Sequence, residues 1–530
     1  MKIFFLLFYS LGSYSLFMYI ISDLHLHSRF SRAVSREMTI AGIAQWAAKK
    51  GIGLVATGDW THPMWMREIG EKLEETGTGL LRSKNPLSGF GSPLSDESLS
   101  VYQLTGKQKT EKQESENRQQ KTDNLFPLFL LSTEISCIYS QTGKTRRVHV
   151  MVWVSSIASA QKISRELTKR GCNLLSDGRP IIGLSLMNLA ELVFSVDSHA
   201  LIIPAHIWTP WFSVYGQMGG FDSLEEAFGP YVKNIYAVET GLSSSPDMNW
   251  RIKELDSRAI VSFSDAHSGP KMGREATVFE LTEPTFENVR KAIMTLSGFS
   301  FPLSDKSQSV VSGSGLDTDK QNTDKQKSDN RQQNTDNRIL YTIEFYPEEG
   351  KYHYTGHRDC HVRLSPQETI AKGTMCPVCG KPLTQGVMQR VEELASRSSY
   401  ELRVTSYELN SLRMLKTEEQ MSRPPFVMLV PLQEIIAEAI GSPVASVKTQ
   451  SQYNILTLHF NGEFNVLLNA SLDEIGGIST KEIADGVRKV RIGDIMVDPG
   501  YDGVFGVVKI WKSDEEKSLV DRSKEQLGLF

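Results

Sequence analysis

The chain has 530 residues, of which 40% are hydrophobic and 23% charged, so it is too long for one ordinary domain and has the composition of a soluble globular protein. A formal net charge of −4 and a pI of about 6.3 exclude a general basic surface, so any contact with nucleic acid must depend on local patches. Five cysteines in a chain of this length exclude a disulfide framework. Three of them, Cys360, Cys376 and Cys379, lie close together in sequence, which indicates metal binding in a reducing, cytoplasmic compartment.

The N-terminal segment is apolar enough to resemble a signal sequence or a membrane anchor. However, only one positive residue precedes the apolar run, no small-x-small cleavage site follows it, and it continues directly into Asp23. We expect residues 1–17 to be a non-native or disordered extension and Met18 to begin the first strand. A membrane anchor is the alternative.

Seven short apolar runs are typical of buried strands, and helical patterns separate several of them. The runs are Met18–Ser22, Gly53–Thr57, Leu128–Ser132, Val148–Val152, Ala200–Pro204, Ile235–Val238 and Ile260–Ser264. The segment Thr39–Lys50 has apolar residues at helical spacing and is followed by Gly51, a common helix stop. This alternation predicts an α/β fold with a parallel sheet, and seven units favour a closed (β/α) barrel over residues 18–296.

Two polar segments interrupt this pattern and are near copies of one another. Residues 88–124 and residues 297–337 both begin SGF-x-x-PLSD, and they end NRQQKTDN and NRQQNTDN. Because they lack apolar periodicity, we interpret them as disordered insertions, with a shared docking peptide as the alternative. A tandem repeat, SYELRVTSYELN, lies in the predicted linker 398–423.

Side chains that bind metals recur near the seven runs, mostly at their carboxyl ends. The candidate ligands are His25, His27, Asp59, His62, Glu134, His149, His206, Asp265 and His267. The carboxyl ends of the strands form the catalytic face of such barrels, and imidazole with carboxylate suits zinc, manganese or iron. We expect divalent zinc, manganese or magnesium in the barrel. This many ligands predicts two or three ions, which can activate a water and stabilise both oxygens of a phosphoryl displacement. The sequence therefore predicts phosphoester hydrolysis.

Each of these ligands is a weak signal when taken alone, because a single strand histidine is usually a hydrogen-bonded core residue. For His149, a structural role of this kind is the alternative to metal binding. Glu239, at the end of the sixth run, is equally compatible with an outer-sphere role or with helix capping. The recurrence of ligands at strand after strand carries the prediction.

The motifs DLHLH, GDWTH, the AH of His206 and SDAH, together with the Glu134 strand, resemble those of the PHP (polymerase and histidinol phosphatase) superfamily. The resemblance implies a distorted seven-stranded barrel, a trinuclear metal centre and hydrolysis of phosphoesters. One departure concerns the second motif, in which many members have histidine directly after aspartate. Here Trp60 follows Asp59, so either Asp59 or His62 can be the ligand.

Residues 339–397 contain the spacing of a two-knuckle zinc module. His357-x2-Cys360 is followed after fifteen residues by Cys376-x2-Cys379, which predicts one structural zinc with a histidine replacing one thiolate. His353 and His361 compete with His357 for that position. A redox C-x-x-C is the other interpretation, but the motif does not lie at a strand-to-helix junction.

Residues 424–515 alternate apolar and polar residues, which predicts a strand-rich α+β domain with one helix at Leu432–Ile440. We expect this domain to bind DNA. The strip GVRKVRIG contributes Lys489 and Arg491 as candidates for contacts with the DNA backbone, with a solvated strand face as the alternative.

Longer motifs resemble the endonuclease Q family over nearly the whole chain except residues 1–17 and the insertions. These motifs are HSRFSRA, AHIWTPWFSVYG, ETGLSSSPDMNWR, SDAHSGPKMGREA, the CPVCG module and DPGYDGVFG. The resemblance implies a DNA repair endonuclease that cuts on the 5′ side of a deaminated base (uracil, hypoxanthine or xanthine) or an abasic site.

Further residues flank the ligand motifs and suit a nucleic-acid substrate. We predict Asp23 and Arg274 as catalytic residues, Arg274 by holding phosphate. The other candidates for DNA contact are Arg29, Arg32, Trp208, Trp211 and Tyr215. The aromatic residues would stack on exposed bases, and packing under a loop is the alternative for each of them.

The last segment, residues 516–530, is charged and ends QLGLF. Gln526, Leu527, Leu529 and Phe530 resemble the peptide with which bacterial repair proteins bind the DNA sliding clamp, in a cytoplasmic setting. The alternative is that these residues fold back onto the last domain. For the whole chain, the competing functions are a PHP-type phosphoesterase acting on a small phosphorylated substrate and a non-catalytic factor that binds DNA or the clamp.

Overall fold

A computed structural model describes residues 17–85, 127–295, 337–398, 402–418 and 423–512. The extension before Phe17, the two repeat insertions apart from Asn337, and the predicted clamp-binding residues Gln526, Leu527, Leu529 and Phe530 lie outside the described residues. Within the described ranges, no helix is both long and apolar enough to cross a membrane.

The strands are β1 (Met18–Asp23), β2 (Leu54–Ala56), β3 (Leu73–Glu75), β4 (Leu81–Ser83), β5 (Leu128–Gln141), β6 (Lys144–Val154), β7 (Ile181–Ile182), β8 (Leu201–Pro204), β9 (Ala237–Glu239), β10 (Ala259–Val261), β11 (Ala276–Leu281), β12 (Arg338–Glu344), β13 (Thr355–His357), β14 (Val362–Leu364), β15 (Val404–Leu409), β16 (Leu412–Thr417), β17 (Phe426–Met428), β18 (Met496–Asp498) and β19 (Val507–Lys509). The helices are α1 (Ile40–Lys50), α2 (Pro63–Lys72), α3 (Ile157–Lys169), α4 (Leu186–Val196), α5 (Leu224–Phe228), α6 (Pro246–Trp250), α7 (Phe286–Met294), α8 (Pro366–Lys372), α9 (Val387–Leu394), α10 (Leu432–Ile440), α11 (Val447–His459), α12 (Glu463–Leu468), α13 (Leu472–Ile478) and α14 (Lys481–Ile492).

A mixed sheet of 13 strands forms the frame, in the order β15-β16-β17-β12-β11-β1-β2-β5-β4-β3, with β6 and β7 also pairing with β5, and β8 with β6. Each of the seven runs contains a strand, but the expectation of a parallel sheet is only partly correct. Strands β1, β2 and β5 run parallel, whereas β5 with β6, β6 with β8 and β1 with β11 are antiparallel. The physical reason for the first reversal is a two-residue turn, Thr142-Gly143, with φ of 51° and 76°, which joins β5 to β6 as a hairpin.

The strands enclose one apolar core on their inner face. Ile20 of β1, Leu130 of β5, Met151 of β6 and Ile203 of β8 lie in one buried cluster with Val261 of β10, although β9 and β10 form a separate parallel pair. The sheet and this pair therefore share a core.

Helix α1 confirms the prediction for Thr39–Lys50. The Thr39 side chain accepts a hydrogen bond from the Gly42 N–H at the start, and Gly51 ends the helix with φ of 80°. Its apolar residues Ile40, Ile43, Ala44 and Ala47 are buried. This face packs the helix onto the frame that carries the site.

The C-terminal region is mainly helical, so the expectation of a strand-rich domain is wrong for most of it, although β18 and β19 form an antiparallel pair there. Helix α10 has the predicted bounds, but the segments ILTLHF, FNVLLN and VRKVRI lie in α11, α12 and α14. In α14, the buried residues Ile483, Val487 and Val490 recur at helical spacing, while the Thr480 side chain caps the start. Over a short window, the same β-branched residues resemble a strand.

Two predicted boundaries differ from the observed elements. The expected linker 398–423 contains the hairpin β15–β16, which joins β17 in the main sheet. Strand β12, assigned by sequence to the zinc module, lies between β11 and β17 in that sheet. The part of the zinc module that is separate from the frame therefore begins after β12.

Candidate metal centre

His25 and His27 follow β1 and are buried, with both rings held by carboxylates. The Nδ1 atom of His25 lies 2.9 Å from Glu239 Oε1, and that of His27 lies 3.1 Å from Asp59 Oδ1. Such pairs fix the tautomer and the ring orientation of a metal-ligating histidine. The Nε2 atom of each ring is buried without a hydrogen-bond partner. These two unsatisfied nitrogens fit a metal ion as their partner.

Glu134 lies between two groups of imidazoles. On one side its carboxylate is 3.3 Å from His27 Nε2 and 3.7 Å from His25 Nε2. On the other side Glu134 Oε1 lies 2.7 Å from His149 Nδ1 and 3.0 Å from His206 Nε2. A carboxylate in this position can bridge two ions.

The β5–β6 hairpin brings Glu134 and His149 together. The sequence places Glu134 at the end of its strand, but β5 continues to Gln141 and Glu134 lies near its middle. Glu134 is opposite Met151 and His149 is opposite Ser136, so Glu134 and His149 are diagonal neighbours on one face. Pairing between strands therefore positions these two groups.

Asp265 and His267 extend the centre from the loop after β10. Asp265 Oδ1 lies 3.0 Å from His27 Nε2 and, although buried, makes no hydrogen bond. The backbone of Asp265 has a positive φ of 46°, and Asp59 and His206 have φ of 43° and 30°. Non-glycine residues rarely adopt this region, and such strain is concentrated at functional sites.

The donor atoms form three overlapping groups, in each of which they lie within 4.8 Å of one another. The groups are His25, His27 and Glu134; Glu134, His149 and His206; and His27, Asp265 and His267. The shared residues are Glu134 and His27. Nitrogen and carboxylate oxygen donors in overlapping groups fit two or three divalent ions such as zinc or manganese.

Opposing electrostatic effects act on the buried histidines. Burial by itself would lower the pKa of His25, but Glu239 and Asp265 raise it well above its usual value. The pKa of His27 is likewise raised, because Asp265 and Asp59 outweigh burial. At His149 burial prevails and lowers the pKa to about 4, which leaves a neutral ring able to bind a metal.

The Glu134 carboxylate is held in its ionised form. Burial would raise its pKa, but His149 and the Arg179 guanidinium hold it well below its usual range. An ionised carboxylate among buried imidazoles is the protonation state that metal binding requires.

Of the two alternatives in the second motif, Asp59 contacts a candidate ligand and His62 does not. Asp59 Oδ2 accepts hydrogen bonds from the Ser28 N–H at 2.6 Å, the Ser28 hydroxyl at 2.7 Å and the Ser31 hydroxyl at 2.8 Å. His62 stacks on Phe30, with ring centroids 4.5 Å apart. Among the described residues, neither Asp59 nor His62 belongs to a ligand group. The geometry gives Asp59 the role of orienting His27.

Asp23 and Arg274, the predicted catalytic residues, both contact Ser264. Asp23 Oδ1 accepts a hydrogen bond from the Ser264 N–H at 3.0 Å, and its Oδ2 accepts one from the Gly273 N–H at 2.8 Å. Burial raises the pKa of Asp23 to about 6. The Nε–H of Arg274 donates to the Ser264 carbonyl at 3.0 Å. These contacts join the end of β1 to the loop after β10, which carries Asp265.

Two predicted base-stacking aromatics are instead packing residues. Trp208 is buried and donates from Nε1 to Asn249 Oδ1 at 2.8 Å, and Tyr215 is buried and donates to Glu254 at 2.5 Å. Their alternative, packing under a loop, is therefore correct. Trp211 is only partly buried and contacts the ring of Tyr352, with centroids 4.9 Å apart.

Of the basic residues predicted to contact DNA, two lie on the surface and two are buried. Arg29 and Arg32 lie on the surface, paired with Glu68 and Asp177. Lys489 and Arg491 are buried, so the prediction that they contact DNA is wrong. Lys489 pairs with Asp494 at 2.7 Å.

Arg491 is held by main-chain oxygens inside the C-terminal helices. Its guanidinium donates to the carbonyls of Val466, Leu467 and Ala470 at 2.9, 2.9 and 2.7 Å. Because α14 is a helix rather than a strand, the alternation of these two cations does not place them on one solvated face. Each is buried by the segments that pack around the helix.

No sequence motif points to Arg179, whose guanidinium lies 3.0 Å from Glu134 Oε2. It lies in the loop between α3 and β7, within the segment SDGRP. A single arginine in a polar loop carries no pattern that would distinguish it from a surface residue.

The cysteine cluster matches the predicted zinc module. His357, Cys360, Cys376 and Cys379 form a fourth ligand group, and Cys379 Sγ lies 3.5 Å from His357 Nδ1. Burial opposes ionisation of the Cys376 thiol, but the N–H groups of Cys379 and Val378 lower its pKa to about 6. His353 is buried apart from this group and His361 does not belong to it, so the geometry favours His357.

Fold and site together define a mixed α/β protein with a buried centre of histidines and carboxylates and a separate candidate metal site of one histidine and three cysteines. Residues 431–494 match the family model for the MJ0043 C-terminal domain. The chain is 30% identical over 308 residues to the uncharacterized protein MJ0043 of Methanocaldococcus jannaschii, a match that covers 57% of this chain and 31% of that protein. The chain therefore corresponds to about a third of the length of that relative.

Two solved structures resemble nearly the whole chain. The lesion-specific endonuclease PfuEndoQ from Pyrococcus furiosus is 26% identical with a TM-score of 0.68, and the match covers 94% of this chain and 97% of that one. Endonuclease Q in complex with a 27-mer duplex carrying an abasic lesion at the active site is 26% identical with a TM-score of 0.67, covering 93% and 97%. The chain is therefore similar to endonuclease Q in fold and in sequence over nearly its whole length.

Proposed function

We propose that the chain is a metal-dependent DNA repair endonuclease that hydrolyses the phosphodiester on the 5′ side of a deaminated base or an abasic site. The observation that carries the proposal is the set of overlapping ligand groups that share Glu134 or His27, with unsatisfied nitrogens of His25 and His27 aimed into it. Its similarity over most of the chain to a lesion-specific endonuclease supports DNA as the substrate. Uracil, hypoxanthine and xanthine are the proposed deaminated bases.

The residues of the centre have distinct roles in this proposal. Zinc, manganese or magnesium ions bound there would supply an activated water and stabilise charge on the phosphate oxygens. Glu239 and Asp59 hold the imidazoles of His25 and His27 so that each Nε2 faces the centre. Glu134 keeps the two imidazole groups at a fixed separation.

Partly buried and exposed aromatic residues, one of which contacts the centre, suit contact with bases. Phe212 packs on the ring of His149 with centroids 4.8 Å apart, and its neighbour Trp211 contacts Tyr352. Phe505 is 62% exposed, with Lys351 Nζ 4.4 Å from its ring centroid. Aromatic faces next to a cation are typical of sites that hold unstacked bases and backbone phosphate.

The test uses end-labelled duplexes that carry one uracil, hypoxanthine or abasic site, incubated with manganese or magnesium. We expect incision on the 5′ side of the lesion and none in the matched undamaged duplex. The variants H25A and D265A should abolish incision. H199A is the matched control, because His199 is exposed and pairs with Glu287 away from the centre.

The same assay distinguishes the competing functions. Intact lesion duplexes together with rapid hydrolysis of nucleotide monophosphates would identify a phosphoesterase acting on small substrates. Binding of lesion DNA without hydrolysis of either substrate would identify a non-catalytic factor.

Docking on the sliding clamp through Gln526, Leu527, Leu529 and Phe530 remains a proposal from the sequence. Deletion of residues 526–530 should remove binding to the clamp and leave incision of naked DNA unchanged. Equal clamp affinity of the truncated and full-length chains would contradict this proposal.

A further inference from the structure

Arg179 places a permanent positive charge at the edge of the metal centre. Its Nη1 lies 3.0 Å from Glu134 Oε2, while its side chain remains 25% exposed. A guanidinium cannot release its proton in this environment and offers five N–H donors in a planar fork. One contact with Glu134 leaves donors on the accessible side of the centre.

The loop that carries Arg179 is held firmly in place. Asp177 Oδ1 accepts the backbone N–H of Arg179 at 3.2 Å and that of Arg32 at 3.3 Å. The Gly178 N–H donates to the Phe30 carbonyl at 3.0 Å. The position of the guanidinium is therefore set by the segment that follows His27.

A second arginine, Arg32, contacts the carboxylate of Asp177 with its side chain. Arg32 Nε lies 3.3 Å from Asp177 Oδ2, and its side chain is 74% exposed. Asp177 thus joins an arginine at the centre to an arginine on the surface. Asp177 therefore holds the backbone of Arg179 and the guanidinium of Arg32, and two arginines placed in this way are suited to successive phosphates of one strand.

The charge of the centre requires an anion beside Arg179 once cations are bound. Two divalent ions would by themselves balance the carboxylates around them, and they would compete with Arg179 for Glu134. The guanidinium would then be a further positive charge whose contact with Glu134 is weakened. An anionic phosphodiester oxygen restores the balance with a charge-assisted hydrogen bond.

We propose that Arg179 binds a non-bridging oxygen of the scissile phosphodiester, with Arg32 holding the neighbouring phosphate of the same strand. This inference rests on the proposed endonuclease function and assigns the residue that recognises the reacting group. The alternative is a purely structural role, in which Arg179 only neutralises Glu134.

The first experiment compares the full-length wild type, R179A, R179K and R170A in single-turnover incision of an abasic duplex. R170A is the matched control, because Arg170 is an exposed arginine that pairs with Glu166 on α3. We expect R179A to lose about 100-fold or more in rate, R179K to lose less, and R170A to match the wild type. Free guanidinium ion should partly restore incision by R179A.

Two readouts do not depend on turnover. The metal content of R179A should equal that of the wild type. A duplex with a neutral methylphosphonate at the scissile position should bind the wild type more weakly than the normal duplex, in calcium and without incision. R179A should bind the two duplexes equally, since it lacks the group that detects the charge.

Three outcomes would overturn the inference. They are undiminished incision by R179A, loss of metal in proportion to the lost activity, and an equal methylphosphonate penalty in wild type and R179A. A wild type that incises lesion DNA while R179A does so equally well would refute only the role of Arg179. A wild type that incises no lesion duplex would refute the endonuclease proposal and this inference with it.

Discussion

Residues that are not ligands themselves determine the positions of the ligand side chains. Gly178 shows this most directly, because a Cβ built on it would lie 2.4 Å from Asp59 Oδ2 and 2.4 Å from the Ser31 hydroxyl. Asp59 in turn orients the ring of His27. The absence of a side chain at one loop residue is therefore linked to the geometry of a ligand.

We expect G178A to push Asp59 away from His27 and to weaken metal binding by about tenfold or more, as loss of an orienting partner does. Metal titration and single-turnover incision measure this. G183A is the control, because a Cβ at Gly183 meets no atom within 4 Å. Unchanged metal affinity in G178A would contradict the role given to Asp59.

A buried acid beneath the centre makes stability depend on pH. Glu344 is buried on β12, and its carboxylate accepts hydrogen bonds from the Ser262 and Thr342 hydroxyls. Burial raises the pKa of Glu344 to about 7, although those hydroxyls lower it. The pKa of its neighbour Glu275 is also raised well above the usual value, by burial and by Glu344.

Because the folded protein keeps Glu344 protonated, this residue favours folding most below its unfolded pKa of about 4.5. That stabilisation is lost as the pH rises through 7. We expect E344Q, which stays neutral, to raise the melting temperature at pH 8 and to have little effect at pH 5. E71Q, at an exposed glutamate, should change neither value. A lower melting temperature for E344Q at pH 8 would contradict the prediction.

At the scale of elements, the β13–β14 segment has too small a core to fold unaided. The buried residues of this cluster are Val362, Leu364, Cys376 and Leu383. A cluster of this size needs a metal to hold its loops together. The group of His357 and three cysteines supplies the ligands.

We expect C376S to lower the zinc content by about one ion per chain. It should also expose residues 355–384 to proteolysis while α10–α14 stay protected, because those helices contribute to the large buried core that they share with the frame. C172S serves as the control, since Cys172 lies outside every ligand group of the described residues. Zinc content equal to that of the wild type would refute the assignment of Cys376 as a ligand.

At the scale of the whole molecule, the C-terminal helices are joined to the catalytic frame through a buried charge network. Lys50 at the end of α1 is 2% exposed and lies 2.6 Å from Glu463 Oε2. Tyr453 donates its hydroxyl to the same oxygen at 2.6 Å, and the Leu432 N–H donates to Glu463 Oε1 at 3.0 Å. One carboxylate thus contacts α1, α10 and α11.

This network is next to a contact that reaches the metal centre. The Phe464 ring packs against Gly273, whose N–H donates to Asp23 Oδ2 at 2.8 Å. Disturbing the interface should therefore affect the site as well as the stability.

We expect K50M to leave the Glu463 carboxylate buried without its cation and to cost about 3 kcal/mol in the free energy of unfolding. The double variant K50M/E463Q should recover part of that loss. R67M removes an exposed pair with Glu71 and should cost less than about 1 kcal/mol. Urea unfolding measures the free energy of unfolding of all three variants. A loss for K50M as small as that for R67M would contradict the role of the buried network.

The sequence by itself determined the candidate ligands, the position of each strand run, helix α1 and the zinc spacing. These features depend on neighbours within a few residues, as in H-x-H, C-x2-C or the Thr39 cap, and local patterns report such neighbours directly. Helix α10 was predicted for the same reason. The alternating stretches of α11, α12 and α14 predict strands wrongly, because a short run of β-branched residues fits the periodicity of a helix as well as that of a strand.

Only the tertiary structure decided which residues support those ligands. His25 and Glu239 are 214 residues apart in sequence, and Arg179 reaches Glu134 from a loop without a motif. The direction of the β5–β6 pairing set the diagonal contact of Glu134 with His149, and helix packing turned Lys489 and Arg491 inward. Contacts of this kind depend on pairing and burial across distant segments, which no local pattern encodes.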